Sequence, residues 1–552
     1  MALGFILAAS ALILPVIAAS VQAQAQVPFF SPPENAGTHG PSLESARANA
    51  PHIFNAIHSS GRQWGSSLNH NGMSFFPARI PNNTHLYHGT HTPHAVKGME
   101  WLAFEIEHAE GFARPFPRRP PERPRKPGEP RPGPPGEPGE GPPPPTELSW
   151  TETIDDAWST IDDDDDGSRG YLHIYRTTRP LNKLVYIDGM SAGKTSMGTL
   201  DSQDFILRNI SNGDDGPIFG DFERGHDLCE MGVELGIEGF IRMEMGFEII
   251  FCEFSDGLVL ESAPERPNGK NQSLEGLDSF EILRGASLRY SGITGQRLKL
   301  DYSGMSSAYW YDLNLTNPDA NRSDLPRLDN SDIEGRTRMK TDFLNLFAES
   351  SSKSAVGNDW QGITDMIVLR YSDRLQFMAG NDTSKSVLLS QIAVLLNLYV
   401  DYGHFDLPVA TEKCTTHYLI AAVLETTSDR LIHEALYTIM DKICNTLFSV
   451  GQKLLEEEGD SLEVLDQSKL TLKSLIDYLN WTTWKECGKC GYDEICFVAI
   501  WPWGSKEDHD HPTCMTASVL SQRYGYWNMP EMPRPPGPPP GNDTRSGREE
   551  LR

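Results

Sequence analysis

Three groups of residues have the types and spacing that chemistry needs. Gly189-Met-Ser-Ala-Gly193-Lys194-Thr195 follows the apolar run Leu184–Asp188 and approaches a phosphate-cradling loop. Such a loop needs one more residue between its glycines, so that successive backbone N–H groups wrap the phosphates. The Ser-Met-Gly-Thr that follows is a poor helix start, and a surface turn is expected. His85, His88, His91 and His94 recur every third residue. On a helix this spacing would line one face and suit zinc or copper. Gly89 and Pro93 oppose a helix, and in a strand three-residue spacing alternates faces, so a polar loop is the plainer expectation. Cys487-Gly-Lys-Cys490, with Cys496, His509, His511 and Cys514, has the spacing of a zinc site or of a disulfide knot. An oxidising compartment favours disulfides, whose connectivity the sequence leaves open. In either case the group staples the C-terminal region. The run Asp162–Asp166 lacks the Gly and terminal Glu of a calcium loop and is expected to be solvated.

A fourth constellation is spread along the chain. Leu86-Tyr87-His88-Gly89-Thr90 is followed by Gly98-Met-Glu-Trp101-Leu-Ala-Phe104 and then Glu-Ile-Glu-His-Ala-Glu-Gly-Phe-Ala-Arg114. Gly170–Arg176 and Leu184–Asp188 come next, and Gly236-Ile-Glu-Gly-Phe and Gly246-Phe-Glu248-Ile-Ile-Phe close the series. This order of a His-Gly strand, an aromatic strand with an Ala-containing helix, and a Glu strand resembles the ADP-ribosyltransferase fold in its diphtheria-toxin/poly(ADP-ribose) polymerase branch, over about residues 84–255. The resemblance implies a split β-sheet and NAD as co-substrate. It implies that His88 contacts the adenosine-side ribose and that the Gly89 backbone, beside Thr90, holds the carboxamide. Trp101 or Phe104 would stack on nicotinamide in place of the family's Tyr. Glu248 would be the catalytic carboxylate. Such a carboxylate orients the ribose and stabilises the positive charge that develops as the C1′–nicotinamide bond breaks. The implied function is NAD cleavage or ADP-ribosyl transfer to a protein acceptor, as in a toxin or effector. No metal is expected in this site. The arrangement requires His88 and Glu248 on adjacent central strands, facing one cleft.

The elements around these residues divide the chain. Residues 26–335 read as an α+β domain, with short β-branched and aromatic runs at Gly170–Arg176, Leu184–Asp188, Gly236–Ile241 and Phe247–Phe254. Leu288–Tyr290, Leu298–Tyr302 and Ala308–Leu315 are expected to be further short strands. Residues 114–168, rich in Pro, Arg and Gly and then in Asp, form an insertion of polyproline II and open coil. From 336 to 528 the apolar period becomes helical. Ile432, Ala435, Leu436, Ile439, Met440, Ile443 and Leu447 line one face, and Leu472, Leu475, Ile476 and Leu479 line another. The tail 529–552 is again Pro- and Gly-rich and is expected to be disordered.

Composition bounds the function. The chain has 552 residues and a formal net charge of −28, from 48 basic and 76 acidic side chains. That balance argues against a nucleic-acid binder, which needs a basic face to displace counterions from phosphate. It argues equally against docking on anionic lipid. Residues 1–25 join an apolar run to Ala23-Gln24-Ala25 and read as a secretory signal peptide, although no Lys or Arg precedes the run. A membrane anchor is the alternative, but the run is short and its flank is polar Gln. Asn-X-Ser/Thr sequons begin at Asn82, Asn209, Asn271, Asn314, Asn321, Asn381, Asn480 and Asn542, and the eight cysteines are even in number. A secreted, glycosylated, disulfide-bonded protein without an integral membrane anchor is expected. The competing function is non-catalytic: a secreted or surface glycoprotein whose helical region binds another protein through apolar surface within 386–480. A hydrolase of the G-x-S-x-G or H-E-x-x-H type lacks its motif here.

Overall fold

A computed structural model describes residues 40–113, 169–210, 220–266, 275–350, 357–457, 459, 461–520, 523 and 526–527. The signal peptide, the 114–168 insertion with Asp162–Asp166, sequons Asn271 and Asn542, and the 529–552 tail lie outside the described residues. The protein is α+β, with a mixed sheet built from the N-terminal half and a helical C-terminal region.

The strands are β1 (Ser74–Ile80), β2 (His85–Thr90), β3 (Glu100–Ala103), β4 (Tyr171–Thr177), β5 (Leu181–Ile187), β6 (Gly239–Met243), β7 (Phe247–Phe251), β8 (Leu258–Ser262), β9 (Lys299–Leu300) and β10 (Ser306–Ser307). They lie in the order β10-β1-β5-β6-β7-β3-β2-β4-β8, with β9 also on β1. β5 and β6 pair in parallel, and the other pairings are antiparallel. Central β6 and β7 are buried along their whole length. Their residues are buried on both faces, the charged Arg242 and Glu248 included.

The helices preceding β1 are α1 (Leu43–Ala48), α2 (Ala50–Ser59) and α3 (Gln63–Leu68). Within the sheet sequence come α4 (Ile106–Glu110) and α5 (Asp221–Gly232), and after it α6 (Glu275–Ser287). The C-terminal helices are α7 (Ile333–Ser350), α8 (Trp360–Ala379), α9 (Lys385–Leu396), α10 (Leu407–Thr416), α11 (Thr427–Glu456) and α12 (Leu462–Leu479). The helical period of 432–447 is buried as expected in α11, and Leu472, Leu475 and Leu479 are buried in α12, with Ile476 half-buried beside them. Both halves share one hydrophobic core. Asn55 of α2 donates to the Leu479 carbonyl at 3.0 Å, and Phe54 stacks on Trp481 at 5.5 Å. Phe343 of α7 meets Phe75 of β1 at 5.2 Å.

Local expectations after residue 285 fail. Leu288–Tyr290 is a turn, the 298–302 run contributes only β9, and Ala308–Trp310 is a 3₁₀ turn. Apolar residues there pack as single side chains of a loop; Tyr302, Tyr309 and Trp310 are buried without strand pairing. The eight cysteines form four disulfides, Cys229–Cys252, Cys414–Cys444, Cys487–Cys496 and Cys490–Cys514. The last two clasp a hairpin of Glu494–Phe497 with Thr513–Thr516. His509 is buried beside the Leu68 carbonyl and Asp510, away from a sulfur cluster. Among the described residues no helix is long and apolar enough to cross a membrane.

Candidate functional site

The register decides which side chains meet. Arg242 pairs with Glu248, Glu248 with Ala103, and Ala103 with Tyr87, across four neighbouring strands. Directly paired residues point to one face of a sheet and their chain neighbours to the other. Glu248, Ala103, Tyr87 and Gly89 therefore share a face, and Trp101 lies on it too. His88, Thr90 and Phe104 fall on the other. β3 also separates the Glu strand from the His strand. The expected single cleft holding both His88 and Glu248 is thus corrected by register: an odd offset of one residue inverts the side.

Each expected residue has a definite environment. His88 is buried, with Nδ1 at 2.7 Å from the Trp101 carbonyl and its ring beside His173 and edge-on to Phe254. Burial pushes its pKa down to about 4, so it is a neutral core histidine near pH 7. Gly89 is there for close approach: a Cβ would lie 2.0 Å from the Ala109 carbonyl oxygen. Its missing side chain lets α4 seat on β2. Thr90, half-buried, pairs with Tyr171. Phe104 is fully buried under the Arg297 guanidinium. Trp101 is half-buried and edge-on to Phe222 of α5 at 4.7 Å. Of the two expected stacking rings, only Trp101 shares Glu248's face. His85 pairs with Glu261, and among the described residues no three of the four histidines have the spacing to hold one ion.

Around Glu248 lies a buried charged cluster. Arg242 donates to Glu248 Oε1 from Nε at 2.9 Å and from Nη2 at 2.5 Å. Lys194 Nζ bonds Glu244 at 2.8 Å and Asp221 at 2.8 Å, and sits 5.0 Å over the Trp501 ring. Arg224 joins Asp221 to Asp204 at 3.0 and 2.9 Å. His108 Nε2 of α4 is 3.9 Å from Glu248 Oε2. Burial would lower the Lys194 pKa, but Asp221 and Glu244 overcome it and hold the ammonium above its ordinary range. Burial raises Glu244 to about 7 despite Lys194. Burial lowers the pKa of His108 against the pull of Glu248.

Sequence reasoning missed most of this cluster. The 189–195 loop is not a surface turn: its residues are buried, Ala192 donates its N–H to the Met243 carbonyl, and Lys194 is an internal cation. No local signal marks Lys194 as internal, because the carboxylates that pair with it lie 27 and 50 positions away. Phe112 was also missed. It is half exposed, stacks on His108 at 5.8 Å, and is the solvent-facing ring beside the cluster.

The comparisons follow the same segment. The family model of the YPL277C N-terminal domain matches residues 44–275, which contain β1 to β8 and every member of the Glu248 cluster named above except Trp501. The chain is 26% identical to the uncharacterized protein YOR389W of Saccharomyces cerevisiae over 552 aligned positions, 84% of each chain. It is 28% identical to the uncharacterized protein YPL277C of the same yeast over 445 positions, 66% of this chain and 85% of that one. No solved structure matches the chain.

Proposed function

We propose that the protein cleaves NAD at the nicotinamide–ribose bond, as an NAD glycohydrolase or as an ADP-ribosyltransferase toward a protein acceptor, in an ADP-ribosyltransferase-like fold. The observation that carries the reading is the placement of Glu248. It lies in β7 beside the aromatic strand β3, with the His-Gly strand β2 one strand further on and His88 on the opposite face, so the reading rests on Glu248 and Trp101 and not on the His88 that the resemblance implies. Glu248 is 5% exposed and sits in a buried cluster where Asp204, Asp221, Glu244 and Glu248 meet Lys194, Arg224 and Arg242. The carboxylates gathered around Glu248 favour a substrate that gains positive charge at C1′. Arg242 fixes the Glu248 carboxylate without using Oε2. Trp101 and Phe112 are the rings for nicotinamide, and His88 takes no part.

The test is nicotinamide release by the purified full-length protein beside Glu248→Gln. Loss of release by at least about a hundredfold in a folded variant is expected, the scale of removing one preorganised electrostatic group. No release and no NAD binding by the wild type would sink the reading. The rival function would then stand, that of a non-catalytic protein-binding glycoprotein. Its surface would be the exposed Leu398, Tyr402, Phe405, Val409 and Ile420 between α9 and α11.

Secretion and glycosylation belong to the same proposal. They are supported by the four disulfides and by the exposure of all six sequon asparagines among the described residues, Asn82, Asn209, Asn314, Asn321, Asn381 and Asn480.

A further inference from the structure

The ring of His108 is 95% buried, and its Nδ1 is buried without a hydrogen-bond partner among the described residues. Such a nitrogen ordinarily has one. Its Nε2 points toward the free oxygen of Glu248, because Arg242 takes only Oε1. Glu244 completes a trio in which one ligand atom from each residue lies within 4.8 Å of the others, and all three residues are buried. Lys194 bonds Glu244 through Oε2 and also holds Asp221. The two cations thus brace the carboxylates from outside the trio.

We propose that His108, Glu244 and Glu248 bind a divalent transition-metal ion of the zinc class. Imidazole nitrogen with carboxylate oxygen suits zinc rather than calcium or magnesium, which take oxygen sets. Zinc lies about 2.0–2.2 Å from such ligands. The 3.9 Å between His108 Nε2 and Glu248 Oε2 is therefore close to the span one ion bridges. A modest turn of the Glu244 side chain supplies the third ligand. The ion gives His108 Nε2 a ligand bond where it now has only the 3.9 Å contact with Glu248, and it adds two positive charges beside the buried carboxylates. Its effect on activity rests on the NAD reading: zinc on Glu248 occupies the carboxylate that the cleavage needs, so the ion inhibits. The binding itself stands apart from that reading.

The experiment titrates zinc into chelator-stripped, full-length protein with its disulfides intact, by calorimetry and by metal analysis after dialysis. The wild type is expected to bind one equivalent that raises its melting temperature. His108→Gln and Glu244→Gln should each bind it at least about tenfold more weakly. Circular dichroism and metal-free melting check that each variant folds. If His108→Gln does not fold, Glu244→Gln and the visible absorption of the cobalt-substituted wild type carry the test. Absence of a tight equivalent in the wild type, or equal affinity in the folded variants, overturns the site. Zinc binding that depends on His108 without nicotinamide release keeps the site and discards the NAD reading. Nicotinamide release without zinc binding does the reverse.

Discussion

A single hydrogen atom at position 89 determines how β2 meets α4. Gly89→Ala would place a methyl group 2.0 Å from the Ala109 carbonyl and 2.6 Å from the Ala113 nitrogen. Both obstacles are backbone, so a helix must move. Destabilisation of about 2–3 kcal/mol is expected in urea unfolding, at the upper end for overpacking. Asp188 offers a second test at this scale. It is buried, accepts from the Ser74 N–H at 2.8 Å, and burial pushes its carboxyl up to about 7. Between the ordinary carboxylate value and 7, the unfolded chain is ionised where the folded one holds its proton. The favourable contribution is complete at low pH and is lost as the pH rises toward 7. Melting temperatures at pH 4.5 and 7.5 should therefore differ more for the wild type than for Asp188→Asn, which keeps the acceptor oxygen. Equal differences would contradict the assignment.

At the scale of elements, α11 is the helix on which the C-terminal region is assembled. It spans 30 residues and opens with a capping box, in which Thr426 accepts from the Asp429 N–H at 3.0 Å and Asp429 accepts from the Thr426 N–H at 3.1 Å. Thr426 also donates to the Ser303 carbonyl at 2.9 Å, which ties the helix start to the loop after β9. Thr426→Ala should cost about 1–2 kcal/mol, measured by chemical denaturation. The strands show the opposite dependence. β6 and β7 are buried throughout, and only cross-strand register states which face Glu248 takes.

For the whole molecule, the C-terminal knot is a clamp on the sheet side of the protein. The segment following Cys487–Cys496 puts Trp501 against Lys194, the Val498 N–H against the Tyr290 hydroxyl oxygen, and His509 against α3. Removing the Cys490–Cys514 bond by paired serine substitution frees a 24-residue separation. Chain entropy makes this worth about 3 kcal/mol. The double variant should unfold at correspondingly lower urea, with proteolysis beginning between 487 and 514. Unchanged stability would mean that packing alone holds the clamp.

The sequence by itself determined the class of the fold, the strands β2, β4, β5, β6 and β7, the burial of the α11 and α12 stripes, and the preference for disulfides over zinc. These follow from local period, composition and cysteine number, which the chain carries within a few residues of each site. Tertiary structure alone decided that His88 is core, that Trp101 and not Phe104 shares the Glu248 face, that Lys194 is internal, and that α1 and α2 join the C-terminal helices. Each of these depends on a partner far along the chain: Glu248 for Ala103, Asp221 and Glu244 for Lys194, Leu479 for Asn55. A sheet inverts every side chain when its register shifts by one residue, and a buried charge is stable only beside its counter-charge. Neither condition is written in local pattern, because both are properties of which distant segments come to lie side by side.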